Sequence, residues 1–177
     1  VASLIQLQLK RTVDEPARLA LQEALGRVLS ISEAHRNLYG AGQGVERVDM
    51  AVYLTELCAN LADALFLGEL VRLECSVEPG ALERDRAVAL GLILNELVTN
   101  AAKYARGQEA TVVTVKLRRS GPTWVLSVAD NGPGLPDNPS PSSGMGQGLI
   151  TALLKQADAS LDNRNDNGAI FDVAFKA

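Results

Sequence analysis

The amino-acid sequence predicts an α+β protein: an N-terminal helical hairpin, half of a four-helix bundle, followed by a sandwich of a mixed sheet with helices on one face. Three observations predict it. Residues 1–44 hold two stretches of helical periodicity and no strand pattern. From residue 45 helices alternate with short β-branched segments of period two. Those segments come largely as hairpins, so the sheet is expected to be mixed or antiparallel rather than wholly parallel.

In chain order, Val1 to Thr12 reads as the last turns of an amphipathic helix, with Leu4, Ile5, Leu7 and Leu9 apolar. Asp14 is a cap and Pro16 fits a first turn. A long helix follows from about Ala17 to Tyr39, its stripe Leu21, Leu25, Val28, Ser32, His35, Tyr39 stepping by three and four, the spacing of helices that pack on helices. Two such helices make an antiparallel hairpin that can pair with a second copy. Gly40-Ala41-Gly42-Gln43-Gly44 is the linker, dividing domains at 1–44 and 45–177. Asp49 caps a helix running to about Phe66, with Leu54, Leu57, Leu61 and Leu65 apolar. Val71 to Val77 alternates as a half-buried strand. A helix from about Glu83 to Tyr104 carries an apolar face at Val88, Leu92, Ile93, Leu97, Val98 and Ala101. Thr111–Arg118 and Thr123–Ala129 form a hairpin about Ser120-Gly121-Pro122. The segment Asn131–Gly144 is too long for an ordinary turn and reads as a lid. Gly146–Gln156 is a short helix, and Ala159–Arg164 with Ile170–Phe175 form a hairpin about Asn165-Asp166-Asn167-Gly168.

Composition narrows the function classes. The 177 residues are 47% hydrophobic and 21% charged, enough for a sizeable core. The net charge of −4, without a basic cluster, argues against a nucleic-acid surface. No run reaches the roughly 20 apolar residues that span a bilayer, and no signal peptide is visible. Cys58 and Cys75 read as two isolated, buried, reduced thiols of a cytoplasmic protein. The chain begins inside a helical pattern, the expectation for a piece of something longer.

Chemistry concentrates in three places. On the helix ending at Tyr104, Asn95, Glu96, Asn100 and Lys103 interrupt an apolar background; Glu96 and Asn100, four apart, stack one turn from each other. A carboxylate, a carboxamide and an ammonium on one edge can manage a metal-bound phosphate chain, whereas a solvated polar edge is the plain alternative. Next, Asp130-Asn131-Gly132-Pro133-Gly134 stands where an apolar strand runs out. Asp130 there can accept a hydrogen bond from an exocyclic amine such as that of adenine, although such a sequence can also be only a turn. Third, Gly144-Met145-Gly146-Gln147-Gly148-Leu149 opens a helix, where backbone N–H groups and the helix dipole favour an anion. It is neither a Walker motif nor a Rossmann turn.

In that order, N-E-L-V-T-N-A-A-K-Y, D-N-G-P-G and G-M-G-Q-G-L resemble the N box and two glycine boxes of the Bergerat-type ATPases, over about Val48 to the C-terminus. The resemblance implies ATP and Mg²⁺ as cofactors. It makes Asn100 the Mg²⁺ ligand, Glu96 the group that polarises the attacking atom, and Lys103 a phosphate contact. Asn95 and Tyr104 fall near the nucleotide, and Asp130 is the adenine-amine acceptor. Gly132 and Gly134 line the base pocket, while Gly144, Gly146 and Gly148, with Met145, Gln147 and Leu149, hold the lid and phosphates. Gly168-Ala169-Ile170-Phe171 resembles a third box of the form G-T-x-F, with Ala169 in place of threonine, so one adenine-side hydroxyl is missing.

The hairpin selects among members of that superfamily. Ser3-Leu4-Ile5-Gln6-Leu7-Gln8 and Ala34-His35-Arg36-Asn37-Leu38-Tyr39 resemble the two hairpin helices of HWE-related sensor histidine kinases. The strict HWE marks are absent: Asn95 stands where a histidine would, and Ala129-Asp130-Asn131 replaces W-x-E. The resemblance places the phosphoacceptor histidine upstream of Val1 and gives His35, the single histidine, a structural position. Trp124 reads as a packed strand residue. The implied function is autophosphorylation on histidine and transfer to an aspartate of a response-regulator receiver domain. The implied partners are that receiver, a sensor domain in cis and a second copy through the hairpin. A topoisomerase-type machine would need a transducer segment and an anti-sigma serine kinase would lack the hairpin. A histidine phosphotransferase with a degenerate ATPase-like domain is the remaining alternative, kept open by Ala169.

Overall fold

Asp49 ends a strand and begins a helix, and both roles follow from its short carboxylate. β1 (Arg47–Asp49) gives way to α1 (Met50–Leu65). Asp49 Oδ1 accepts the backbone N–H groups of Ala51 at 2.9 Å and Val52 at 3.2 Å, amides that a helix start leaves without internal partners. Asp14 does the same further upstream. Its Oδ2 accepts the Ala17 amide at 3.0 Å, and its carbonyl accepts that of Arg18 at 2.9 Å. The computed structural model describes residues 14, 17–18, 47–65, 71–104, 111–135 and 145–176, with backbone alone at 64–65, 71, 103–104, 111 and 145–147. The helix expected over Val1–Thr12, the Ala17–Tyr39 helix beyond Arg18, His35 and the Gly40–Gly44 linker lie outside the described residues. The chain divides into two compact units, Val1–Gln43 and Gly44–Ala177.

Within the second unit, β2 (Val71–Val77), β4 (Thr111–Ser120), β5 (Thr123–Asp130), β6 (Ala159–Asn165) and β7 (Ala169–Lys176) form one sheet in the order β2-β4-β5-β7-β6. β2 and β4 are parallel, with Leu73 opposite Val113, and every other pair is antiparallel. The sheet is therefore mixed. One face carries Val113, Val115, Leu117, Trp124, Leu126, Val128, Val173 and Phe175, all buried. The register sets them side by side, Leu117 opposite Leu126 and Leu126 opposite Val173, so cross-strand contacts and the helix layer cover the same side chains. The other face is half-exposed and holds Ser127, Asp172 and, on β6, Arg164. Asp172 accepts hydrogen bonds from both Ser127 and Arg164.

β3 (Ala81–Glu83) pairs with β1 as a separate two-stranded sheet, Val48 opposite Leu82. Nothing in the sequence pattern predicts this pair, whose strands have three residues each. α2 (Arg84–Tyr104) then packs on the main sheet and against both α1 and α3 (Met145–Ala157). Neighbours on so many sides shift the buried surface from the expected stripe. Val88 and Leu92 are half-exposed, whereas Ala87, Ala89, Leu90 and every residue from Ile93 to Val98 are buried. Trp124 is a packed strand residue, as expected. Arg86 ties the assembly at one end, donating Nε to the Ala157 carbonyl at 2.9 Å and a terminal nitrogen to that of Lys176.

Candidate functional site

α2 and α3 run antiparallel, and this brings two of the sequence motifs together. The C-terminus of α3 meets the first turn of α2 through Arg86, and Gln156 Nε2 donates to the Asp85 carbonyl at 3.3 Å. At about 1.5 Å per residue, the 13 residues of α3 then carry its N-terminus back to the level of Glu96 to Asn100. The opening turn of α3 includes Gly146 and Gly148, so these glycines lie inside the helix start rather than before it. Gly148 is exposed, with open space where a side chain would stand, which leaves the first amides of α3 approachable.

Asn95 and Glu96 on α2 are not a solvated edge. Each is only 7% exposed, and Asn100 is half-buried. Burying a carboxylate costs free energy unless polar groups meet it, so Asn95 and Glu96 are candidates for a site rather than a surface. Only the backbone of Lys103, Tyr104, Met145 and Gln147 is described, and Gly144, with the rest of 136–144, lies outside the described residues.

β4 starts just after α2 ends, and Asp130, the last residue of β5, sits opposite Val113 near that start. Its Oδ1 accepts the Gly132 amide at 2.8 Å and the Ala169 amide at 3.3 Å. Gly168 lies directly against its main chain; a Cβ there would stand 1.8 Å from the Asp130 carbonyl oxygen, and the Gly168 φ of +141° suits glycine alone. The carboxylate is therefore oriented by two strands and a turn. Ala169, where the resemblance expected threonine, contributes through its main chain, and its side chain is buried. The next residues are held too. Asn131 Oδ1 accepts the Val112 amide at 2.8 Å, and the Asn131 amide donates to the Val112 carbonyl at 3.3 Å. Gly134, φ +80°, turns the chain so that Leu135 meets Asn165, which the sequence alone marks only as part of a turn.

The cysteines depart from expectation. Cys58 on α1 is buried but Cys75 on β2 is exposed, and the two are neighbours rather than isolated. A hydrogen bond with Cys58, foremost, holds the Cys75 thiol below its ordinary value. The same bond, followed by burial, pushes Cys58 up. No described helix is long and apolar enough to cross a membrane.

The second unit is thus a layer of helices on a mixed sheet that carries a strand-end aspartate, a helix opened by glycines and a helix with buried Asn95 and Glu96. Residues 85–176 match the family described as histidine kinase-, DNA gyrase B- and HSP90-like ATPase, and residues 1–65 match the family described as histidine kinase. The chain belongs to the histidine kinase family. It is 30% identical to the sensor histidine kinase PdtaS of Mycobacterium tuberculosis over 99% of its own length, and covers 36% of that protein. It is 35% identical to PdtaS of Mycolicibacterium smegmatis over 77% of its length, covering 27% of that relative. The chain thus spans about a third of the relatives it matches. In fold it is similar to the histidine kinase domain of the Erythrobacter litoralis EL346 blue-light activated kinase. The TM-score is 0.75 at 18% identity, over 98% of this chain and 93% of that one.

Proposed function

We propose that the chain is the catalytic core of a HWE-related sensor histidine kinase, residues 1–44 serving as dimerisation and phosphotransfer hairpin and residues 45–177 binding ATP. The observation that carries this reading is the fixed Asp130 carboxylate at the end of β5. Two backbone amides hold Oδ1. Among the described residues Oδ2 has no hydrogen-bond partner, and an acceptor-only oxygen so oriented suits the exocyclic amine of adenine. Asn95, Lys103 and Tyr104 flank the nucleotide, Gly132 and Gly134 wall the base, and the segment from Gly144 through Met145, Gly146, Gln147, Gly148 and Leu149 meets the phosphates with backbone N–H groups.

The half-buried carboxamide of Asn100 offers the oxygen-donor chemistry that Mg²⁺ takes, completed by phosphate oxygens and water. When bound, the ion neutralises charge on the transferring phosphoryl group. Glu96 orients an imidazole and accepts its proton as the nitrogen–phosphorus bond forms and the bond to the ADP oxygen breaks. The phosphoryl group then passes to an aspartate of a response-regulator receiver docked on the hairpin. A homodimer through that hairpin, a sensor domain in cis, a cytoplasmic setting and motion about Gly40–Gly44 complete the reading.

The test is labelling of histidine from γ-labelled ATP in protein that carries the phosphoacceptor. Glu96→Gln should slow labelling by about 10²- to 10⁴-fold while ATP affinity stays within about twofold; labelling at the unaltered rate would remove Glu96 from its role. Ala169 keeps a second reading, a histidine phosphotransferase whose ATPase-like domain binds no nucleotide. That reading predicts phosphotransfer with a receiver but no ATP binding.

A further inference from the structure

The segment that follows Asp130 is clamped by a side chain from the opposite hairpin. Asn165 Oδ1 accepts the Leu135 amide at 2.8 Å, and Asn165 Nδ2 donates to the Leu135 carbonyl at 3.0 Å. One carboxamide thus satisfies both main-chain groups of a single residue, as a neighbouring strand would. Gly134 makes the approach feasible. Its φ of +80° turns Leu135 toward β6, and a Cβ at Gly134 would come within 2.9 Å of Asn165 Oδ1. Asn165 is also the cross-strand partner of Ala169, the residue whose amide bonds Asp130 Oδ1. The contacts close a ring: Asp130, its own chain out to Leu135, Asn165, Ala169 and back to the Asp130 carboxylate. Asn131 fixes the start of the same segment to Val112 on β4.

We infer that Asn165 is a positioning residue for the nucleotide, holding Gly132 to Leu135 in the shape that walls the base before ATP arrives. The inference rests on the reading of Asp130 as base acceptor. Asn165 touches no reacting atom; it acts by keeping Leu135, and through Gly134 and Gly132 the pocket wall, in one conformation. Removing the clamp leaves the segment to be ordered by the ligand itself, which weakens binding without altering the chemistry.

The experiment is calorimetric titration of Mg·ATP into wild type, Asp130→Ala, Asn165→Ala and Asn165→Asp, with thermal unfolding of each without nucleotide. Asn165→Ala should weaken ATP by about 10-fold, the scale of two net hydrogen bonds, with its unfolding midpoint lowered by about 4 °C, the same loss read as stability. Asn165→Asp keeps the acceptor for the Leu135 amide but sets an oxygen against the Leu135 carbonyl, so about threefold weakening is expected. Exchange of the Leu135 amide should quicken in Asn165→Ala and partly recover in Asn165→Asp. Asn165→Ala or Asn165→Asp binding ATP as wild type does, while Asp130→Ala loses it, would make Asn165 an ordinary turn residue. A lowered midpoint with unchanged affinity would do the same. Asp130→Ala binding like wild type would instead overturn the base-pocket reading, and this inference with it.

Discussion

Gly168→Ala is the perturbation that reaches both fold and site through one methyl group. The new Cβ would lie 1.8 Å from the Asp130 carbonyl oxygen, 2.7 Å from its carbonyl carbon and 3.0 Å from Asn131 Cα. A carbon and an oxygen rest no closer than about 3.3 Å, so the two backbones must part by about 1.5 Å. None of the three atoms is the end of a flexible side chain, so the β6–β7 turn or the end of β5 has to move. The φ of +141° adds the cost of a conformation that alanine avoids, about 1–3 kcal/mol, and overpacking adds about as much again. Together these put the loss near 4 kcal/mol. At about 3 °C per kcal/mol for a unit of this size, the unfolding midpoint should fall by about 12 °C. The shift must also disturb the amides of Gly132 and Ala169 about Asp130 Oδ1, so Mg·ATP affinity should drop by more than about 10-fold. Thermal and urea unfolding, with calorimetric ATP titration below the transition, read both quantities. A loss under about 1 kcal/mol with unchanged affinity would refute the contact argument.

Three further outcomes follow from other contacts. Tyr53 is buried against Gly91, and its hydroxyl has no hydrogen-bond partner among the described residues, while burial pushes the phenol pKa up. Tyr53→Phe removes that polar atom and should leave stability unchanged or raise it by about 1 kcal/mol in urea unfolding; a loss larger than that would mean the hydroxyl is bonded. Arg86→Ala deletes bonds to the carbonyls ending α3 and β7, so about 2 kcal/mol should be lost, with faster amide exchange near Asp158. Asp172 is pushed up by its partial burial, but hydrogen bonds from Ser127 and Arg164 and the guanidinium charge outweigh this and leave it below the ordinary carboxylate range. A depressed folded pKa stabilises above the unfolded value of about 3.9 and loses that stabilisation as pH falls through the lower folded one. The stability gap between wild type and Asp172→Asn should accordingly be open at neutral pH and close in acid; a gap that widens in acid would reverse the sign.

Features held by local chemistry were legible in the sequence. The Asp14 and Asp49 caps need only a carboxylate before a helix, and both main hairpins announced themselves by turn residues between alternating runs. Asp130 was legible because an apolar strand delivered it and glycines followed. What escaped depends on distant partners. β1 and β3 have three residues each, with only Val48 and Leu82 buried, too short to express a period. The buried face of α2 is legible at Ile93, Leu97, Val98 and Ala101, but sheet, α1 and α3 cover the helix on several sides, so burial extends past the 3.6-residue stripe and leaves Val88 and Leu92 half-exposed. Cys58 and Cys75 looked isolated because 17 positions separate them in a chain where only the packing of α1 on β2 brings them together. Asn165 lay hidden in Asn-Asp-Asn-Gly, where any of those side chains could have made the turn, and the residue it clamps is 30 positions away.

The most direct test of the central claim is Mg·ATP binding by wild type beside Asp130→Ala and Asn100→Ala. Micromolar binding by wild type (about −8 kcal/mol), lost in both variants, is the predicted result. No binding by wild type would contradict the kinase reading and leave a hairpin phosphotransferase that keeps the fold without the nucleotide.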